Sequence, residues 1–145
     1  MKNISILFVM VVFLQSCTTI KCAVKADLLS DDSKSISIIQ NDDPINLKRT
    51  IANEVNKIGF NTENNNDSMN SYLTYNYIHY FDAFHYTLNI FSLIVVKNDT
   101  KEVLASAFST GDSPSGANGI VSATFAKLNV KLKAIKPNDT IKKKN

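Results

Sequence analysis

The sequence predicts an α+β domain with the order β-α-β-β-β-β-α, in which two amphipathic helices pack on one face of a mostly antiparallel sheet. Two observations support this. Apolar residues recur at helical spacing in two separate segments, and runs rich in Tyr, Ile, Val and Phe lie between those segments, bounded by turn sequences. The chain is long enough for one domain with a single core.

The first two elements are a short strand and a helix. The β-branched run at residues 35–39 predicts the strand, and Pro44 suits the first turn of a helix over residues 45–58. Gly59 follows as a C-terminal cap. The helix is indicated by four apolar residues at helical spacing, which are Leu47, Ile51, Val55 and Ile58.

The middle of the chain predicts the rest of the sheet. Residues 60–63 are expected to return as a strand beside the first, and the Asn-rich residues 64–67 form a loop. Strands over residues 71–81 and 84–97 should be joined by a tight turn at Asp82 and Ala83. On the second of these, alternation predicts a core face made of Tyr86, Leu88, Ile90, Ile94 and Val96.

A third meander strand is expected over residues 102–109, followed by a glycine-containing loop at 111–119. The final helix should begin near Ile120 and stop before Pro137. Its apolar residues recur every three or four positions, at Val121, Phe125, Leu128, Leu132 and Ile135.

The amino terminus indicates export. Lys2 precedes an apolar run over residues 4–14, which is too short to span a bilayer as a helix. Leu14, Ser16 and Cys17 follow the spacing of a lipobox, so the segment resembles a bacterial lipoprotein signal. This resemblance implies cleavage between Ser16 and Cys17, and acylation of Cys17. We therefore expect a signal peptide at 1–16, a flexible tether at 17–34, the domain at 35–136, and a lysine-rich tail at 137–145.

The resemblance also implies a location. Thr18 stands where an aspartate would indicate retention in the inner membrane, so we expect an outer-membrane lipoprotein facing the periplasm. Inner-membrane retention is an alternative, and so is secretion of a soluble surface factor after cleavage following Ala26. With Cys17 acylated, Cys22 has no partner, which excludes a disulfide framework. The formal charge of +3 indicates no strongly charged partner and no nucleic acid.

Several motifs of the mature chain form a pattern: the Tyr72-Leu73-Thr74-Tyr75 segment, Phe81-Asp82, Tyr86 with Leu88, the segment from Ala105 to Phe108, and the loop from Gly116 to Gly119. In this pattern the mature chain resembles the Sbal-type family of small uncharacterised proteobacterial lipoproteins. That family has a tryptophan where this chain has Phe81 and a second tryptophan in the last helix, whereas this chain contains no tryptophan. The resemblance implies no known activity or ligand.

Catalytic motifs are weak. His79, Asp82 and His85 would hold a metal ion only if the hairpin turn brought them to one face, which the alternation does not require. The glycine loop lacks the lysine of a phosphate-binding loop, and its serines lack the G-x-S-x-G setting of a nucleophile. We expect no enzyme, no metal and no cofactor, with a small metal-dependent enzyme as the alternative.

The tyrosine-rich strand suggests binding instead. If one of its faces is exposed, Tyr75 and Tyr77 could form an interface with an envelope protein or a glycan. The lysines near the carboxyl terminus could touch anionic headgroups, but such a run is more often a solvated face and tail. The sequence therefore favours a lipid-anchored, non-catalytic binding or accessory module, with the membrane contacted through lipid on Cys17.

Overall fold

The computed structural model describes residues 18–29, 34–39, 42–62, 70–111, 113 and 115–135. Within these residues one sheet has five strands: β1 (Thr19–Val24), β2 (Ile36–Ile39), β3 (Ser71–Phe81), β4 (Tyr86–Lys97) and β5 (Val103–Thr110). The helices are α1 (Lys48–Lys57) and α2 (Gly116–Ala134), with a 3₁₀ turn at Ala26–Leu29.

The strand order across the sheet is β1-β5-β4-β3-β2, and only the β2–β3 pair is parallel. The predicted α+β class with a mostly antiparallel sheet and two helices is confirmed. From Ile36 onward the elements follow the expected β-α-β-β-β-β-α order when the single parallel bridge between Ser35 and Asn61 is taken as the second strand.

Strand β1 is a correction, because residues 17–34 were expected to be a flexible tether. Ile20, Cys22 and Val24 alternate with more polar neighbours and point toward the helices, and β1 pairs with β5 from Thr19–Thr110 to Val24–Ala105. Order therefore begins well before residue 35. Cys22, expected in that tether, is a half-buried free thiol in the sheet.

The core lies between the sheet and the two helices. Helix α2 packs across β1, β4 and β5, and α1 packs beside it. Polar contacts join the helices: Ser122 donates to Glu54 Oε1 at 2.9 Å, and Thr50 donates to Asn118 at 2.8 Å. The largest fully buried side chains include Phe91, Phe125, Leu28, Ile51, Leu73, Leu88 and Leu93.

Of the predicted core face of β4, Leu88 and Val96 are buried, whereas Tyr86 and Ile94 are exposed. Phe91, Leu93 and Val95 face the helices, and Ile94 is exposed on the other face. Irregularities between Ile78 and His79 in β3 and between Val95 and Val96 in β4 shift the register, which moves the alternation to the other face along the middle of the strand.

Both helices occupy the expected segments with different starts. Leu47, Ile51 and Val55 are buried, and Gly59 has φ of 95° as a C-terminal cap requires. Helix α1 begins at Lys48, because Asn46 adopts φ of 56°, and α2 begins at Gly116, before Ile120. The tail at 137–145 lies outside the described residues.

Candidate functional site

In the described structure, Asp43, just before α1, accepts four hydrogen bonds through its carboxylate. Its carboxylate accepts hydrogen bonds from the N–H groups of Leu47 and Lys48, at 2.8 and 2.9 Å. It also accepts from the hydroxyls of Tyr75 and Tyr77, at 2.8 and 2.7 Å. We call Asp43, Tyr75 and Tyr77 the Asp43 cluster, and it fastens the first turn of α1 to strand β3.

The cluster changes the ionisation of its members. Burial alone would raise the pKa of Asp43, but the hydrogen bonds from Tyr77, from the two backbone N–H groups and from Tyr75 hold that pKa below its usual value. Burial and then the hydrogen bond to Asp43 raise the pKa of Tyr77 to about 12, and the same causes raise the pKa of Tyr75. The cluster therefore holds one carboxylate and two neutral phenols at neutral pH.

The proposed interface at Tyr75 and Tyr77 is corrected by this geometry. Tyr75 is 3% exposed and Tyr77 is half-buried, and both lie on the helix-covered face of β3 with their rings stacked at 6.3 Å. Their alternation on β3 was read correctly, but the covered face was not identified. Asp43 was missed, although an acid a few residues before an apolar helix is a capping signal.

The hairpin between β3 and β4 separates the two histidines. Asp82 Oδ1 accepts from the N–H groups of Phe84 and His85, so the turn spans Asp82 to His85 and is longer than the expected two residues. His85 Nδ1 lies 3.3 Å from Asp82 Oδ1. His79 sits on β3 with its ring against Tyr77 and Tyr86.

Asp82 and His85 are thus in contact, while His79 belongs to an aromatic row along the strand. Within the described residues, no group of three or more His, Cys, Asp or Glu side chains is placed to hold a metal ion. The turn role expected for Asp82 is the role the structure gives it.

The glycine segment leads into α2, but the predicted loop at 111–119 is shorter than expected, because Gly116 and Gly119 already lie in the helix. Gly116 has φ of 64°, and a Cβ there would lie 2.6 Å from His85 Cδ2 and 2.8 Å from the carbonyl oxygen of Tyr86. Glycine is required because both the backbone angle and the close approach exclude a side chain. A cleft of about 340 Å³ lies beside this contact, bordered by Ile45, Leu47 and Asn118.

The face of the sheet away from the helices is uncovered in the described structure and carries apolar side chains. Register pairs Phe108 with Lys21 and Ser92, and Ile94 with Ser106. Phe108 and Ile94 are 42% and 38% exposed. We call this surface the open face, and it holds a shallow hollow of about 360 Å³ lined by Lys21, Cys22, Ala23, Ser92, Leu93, Ile94, Ser106, Ala107 and Phe108.

The amino-terminal edge completes the sheet. Ser16 and Cys17, the expected cleavage and acylation residues, lie outside the described residues, but Thr19 begins β1 two positions later. Burial raises the pKa of the Cys22 thiol, with Lys127 and Lys131 acting in the opposite direction. None of the helices in the described part of the chain is long and apolar enough to cross a membrane.

Comparison with solved structures identifies proteins with this fold. PelC from Paraburkholderia phytofirmans, crystallised as a dodecamer, matches with a TM-score of 0.55 and 13% identity, over 82% of this chain and 99% of PelC. A PDZ domain protein from Parabacteroides distasonis matches with a TM-score of 0.53 and 11% identity, over 84% of this chain and 37% of that protein.

A minor lipoprotein from Acinetobacter baumannii aligns over 70% of this chain and 91% of its own, with 12% identity and a TM-score of 0.34, from which we draw no conclusion. No family model matches the sequence, and the comparison with curated proteins gives no match either. The resemblance to Sbal-type lipoproteins stays an expectation. At these identities the comparisons establish that the chain shares the PelC fold.

Proposed function

We propose that the chain is a lipid-anchored lipoprotein of the bacterial envelope whose domain is a non-catalytic accessory module that binds further copies of itself through the open face. The anchor is the acylated Cys17, and Thr18 favours the outer membrane with the domain in the periplasm. The observation that carries the binding role is the open face, an uncovered sheet surface with large apolar side chains.

Strand β1 supports the position of the anchor. Cleavage before Cys17 leaves Thr19–Val24 in the mature chain, whereas cleavage after Ala26 would remove the whole strand. Removing β1 would expose the edge of β5 and the side chains beneath α2, since Cys22 and Val24 pack against the core. The position of β1 therefore favours lipoprotein processing over cleavage after Ala26.

Self-association is suggested by two features together. Ile94 and Phe108 are flanked by small or polar residues such as Ser92 and Ser106, as in an interface core with a polar rim. PelC, which shares the fold over nearly its whole length, crystallised as a dodecamer. A second copy is therefore the partner that we propose for the open face.

The anchor is tested by Cys17→Ala in cells fed radiolabelled palmitate. We expect the label to disappear and the chain to accumulate as an uncleaved precursor or a soluble form. Equal labelling of the wild type and the variant would refute the anchor.

The open face is tested by the mass of the detergent-solubilised lipoprotein, measured by light scattering after size exclusion. Phe108→Asp and Ile94→Asp should reduce an oligomer to a monomer. Val130→Asp is the matched control, because Val130 is 64% exposed on α2, away from the open face. A monomeric wild-type protein, or an oligomer unaffected by Phe108→Asp, would refute self-association through this face.

A further inference from the structure

The end of the sheet at which β1 begins, at Thr19, also carries the most exposed aromatic side chains of the described residues. Strand pairing places Thr19 opposite Thr110, and Thr110 opposite Ile90. Strand β4 starts at Tyr86, four residues before that row, so the β3–β4 hairpin extends beyond both β1 and β5 at this end.

The extension is unusually apolar for a solvent-exposed turn. Phe84 is 90% exposed and Phe81 is 62% exposed. The neighbouring Tyr80 and Tyr86 are 44% and 48% exposed. We call this surface the hairpin tip, and it consists of Tyr80, Phe81, Phe84 and Tyr86.

The tip is held in place from both sides. Asp82 ties the turn through the N–H groups of Phe84 and His85, and the rings of Phe81 and Tyr86 meet edge to face at 5.1 Å. Gly116 at the start of α2 lies directly against His85 and Tyr86. The exposure of Phe81 and Phe84 is therefore a property of a braced hairpin.

We propose that the hairpin tip inserts into the interfacial layer of the same bilayer that holds the lipid on Cys17. This inference rests on the proposed anchor. One residue lies between Cys17 and Thr19, so two residue steps limit the separation of Cys17 and Thr19 to about 7 Å. Strand β3 runs three residues from Ile78, in the Thr19 row, to Phe81, because the register shift places an extra residue on β4, and the paired strands therefore end about 10 Å beyond that row. In an upright sheet the paired strands end about 3 Å past Cys17, and the turn that carries Phe84 extends further toward an interfacial layer that is about 5–10 Å deep.

The chemistry of the tip fits the lipid interface. Aromatic side chains concentrate at the boundary between headgroups and acyl chains, where an apolar ring and a polar edge are both satisfied. The sequence from residue 70 to 96 contains no lysine or arginine, so insertion does not depend on anionic lipid. The lysines at 97 and 101 lie at the opposite end of the sheet, beside the β4–β5 turn. The tip therefore fixes the orientation of the domain, leaving the open face directed along the membrane surface.

The chain contains no tryptophan, so a single introduced tryptophan reports on its own surroundings. The acylated full-length protein carrying Phe84→Trp is reconstituted into phosphatidylcholine vesicles. We expect the emission to shift to shorter wavelength and to be quenched by dibrominated lipid, with little change between low and high salt. The matched control is Thr100→Trp, because Thr100 is exposed in the turn at the far end of the sheet and should show neither effect.

The readouts separate the two proposals. Flotation with vesicles and incorporation of palmitate report the anchor alone, so a protein that floats while the emission of the Phe84→Trp chain stays unchanged overturns only the insertion of the tip. A protein that is not acylated overturns both. Equal quenching of the Thr100→Trp chain, or a spectral shift that depends on protein concentration without vesicles, would show that the domain lies flat or that the tip binds another copy.

Discussion

The Asp43 cluster should hold the start of α1 against β3, and its contribution to stability can be dissected by substitution. Tyr75→Phe removes the hydroxyl that donates to Asp43 at 2.8 Å but keeps the buried ring. Net contributions of hydrogen bonds to charged groups are about 1.5–3 kcal/mol, so we expect a loss of that size. Tyr72→Phe is the matched control, because Tyr72 lies on the open face of the same strand and its change should cost less than about 0.5 kcal/mol.

Asp43→Ala should cost more than Tyr75→Phe. The substitution leaves the buried Tyr75 hydroxyl without its acceptor, and an unsatisfied buried group costs about 1–3 kcal/mol of stability. It also removes the cap on the N–H groups of Leu47 and Lys48, at about 0.5–2 kcal/mol. The total of about 1.5–5 kcal/mol is a substantial part of the about 5–15 kcal/mol that holds a domain together.

The assay is urea unfolding of the chain from Thr18 onward, followed by circular dichroism. The double variant with Asp43→Ala and Tyr75→Phe should lose less than the sum of the single losses, because removing both partners leaves no orphaned hydroxyl at Tyr75. Strict additivity, or a loss for Tyr75→Phe no greater than that for Tyr72→Phe, would refute the assigned hydrogen bond.

Three further outcomes follow from the structure. The lowered pKa of Asp43 gives stability that is present above about pH 4 and is lost as the pH falls through that lowered pKa. The raised pKa of Tyr77 gives stability that is present below about pH 10 and is lost as the pH rises toward about 12. Urea unfolding measured from about pH 3 to 11 should show stability falling toward each end of that range, and a flat profile would contradict both expectations. Leu128→Asp places a charge on the buried side of α2, at a position 1% exposed, and should cost several kcal/mol, so an unchanged melting temperature would show the helix face to be wrong. Gly116→Ala should destabilise more than Gly59→Ala in thermal melts, because both have positive φ but only Gly116 has neighbours within 3 Å of the added Cβ; equal losses would mean that strain in φ alone decides.

Local patterns in the sequence were sufficient to predict where the main helices and the long strands lie. Leu47, Ile51 and Val55 fall on one side of α1 at a spacing that no strand would bury, so the helix could be identified without its partners. The Tyr-, Ile- and Val-rich runs likewise indicated β3 and β4. These signals depend on neighbours within the same segment, which is why they survive without tertiary information.

Strand β1 shows where interpretation by composition failed. Its alternation of Ile20, Cys22 and Val24 was present, but Lys21 and the nearby polar residues suggested a tether behind the lipobox. Six residues of moderate hydrophobicity become a strand because β5 supplies an edge to pair with and α2 covers the inward side chains. Pairing of this kind joins residues about ninety positions apart and leaves no local pattern.

The sequence by itself determined the fold class, the segments that become helices and long strands, and the lipobox from which we predict the anchor. Only the tertiary structure decided which face of each strand is buried, because β4 is apolar on both sides and irregular pairing near Ile78 and Val96 sets its phase. The same choice buried Tyr75 and placed Tyr77 against Asp43, while Phe84 stayed exposed in the β3–β4 turn. The physical reason is that period-two alternation identifies two faces, while the packing of distant helices determines which one is covered.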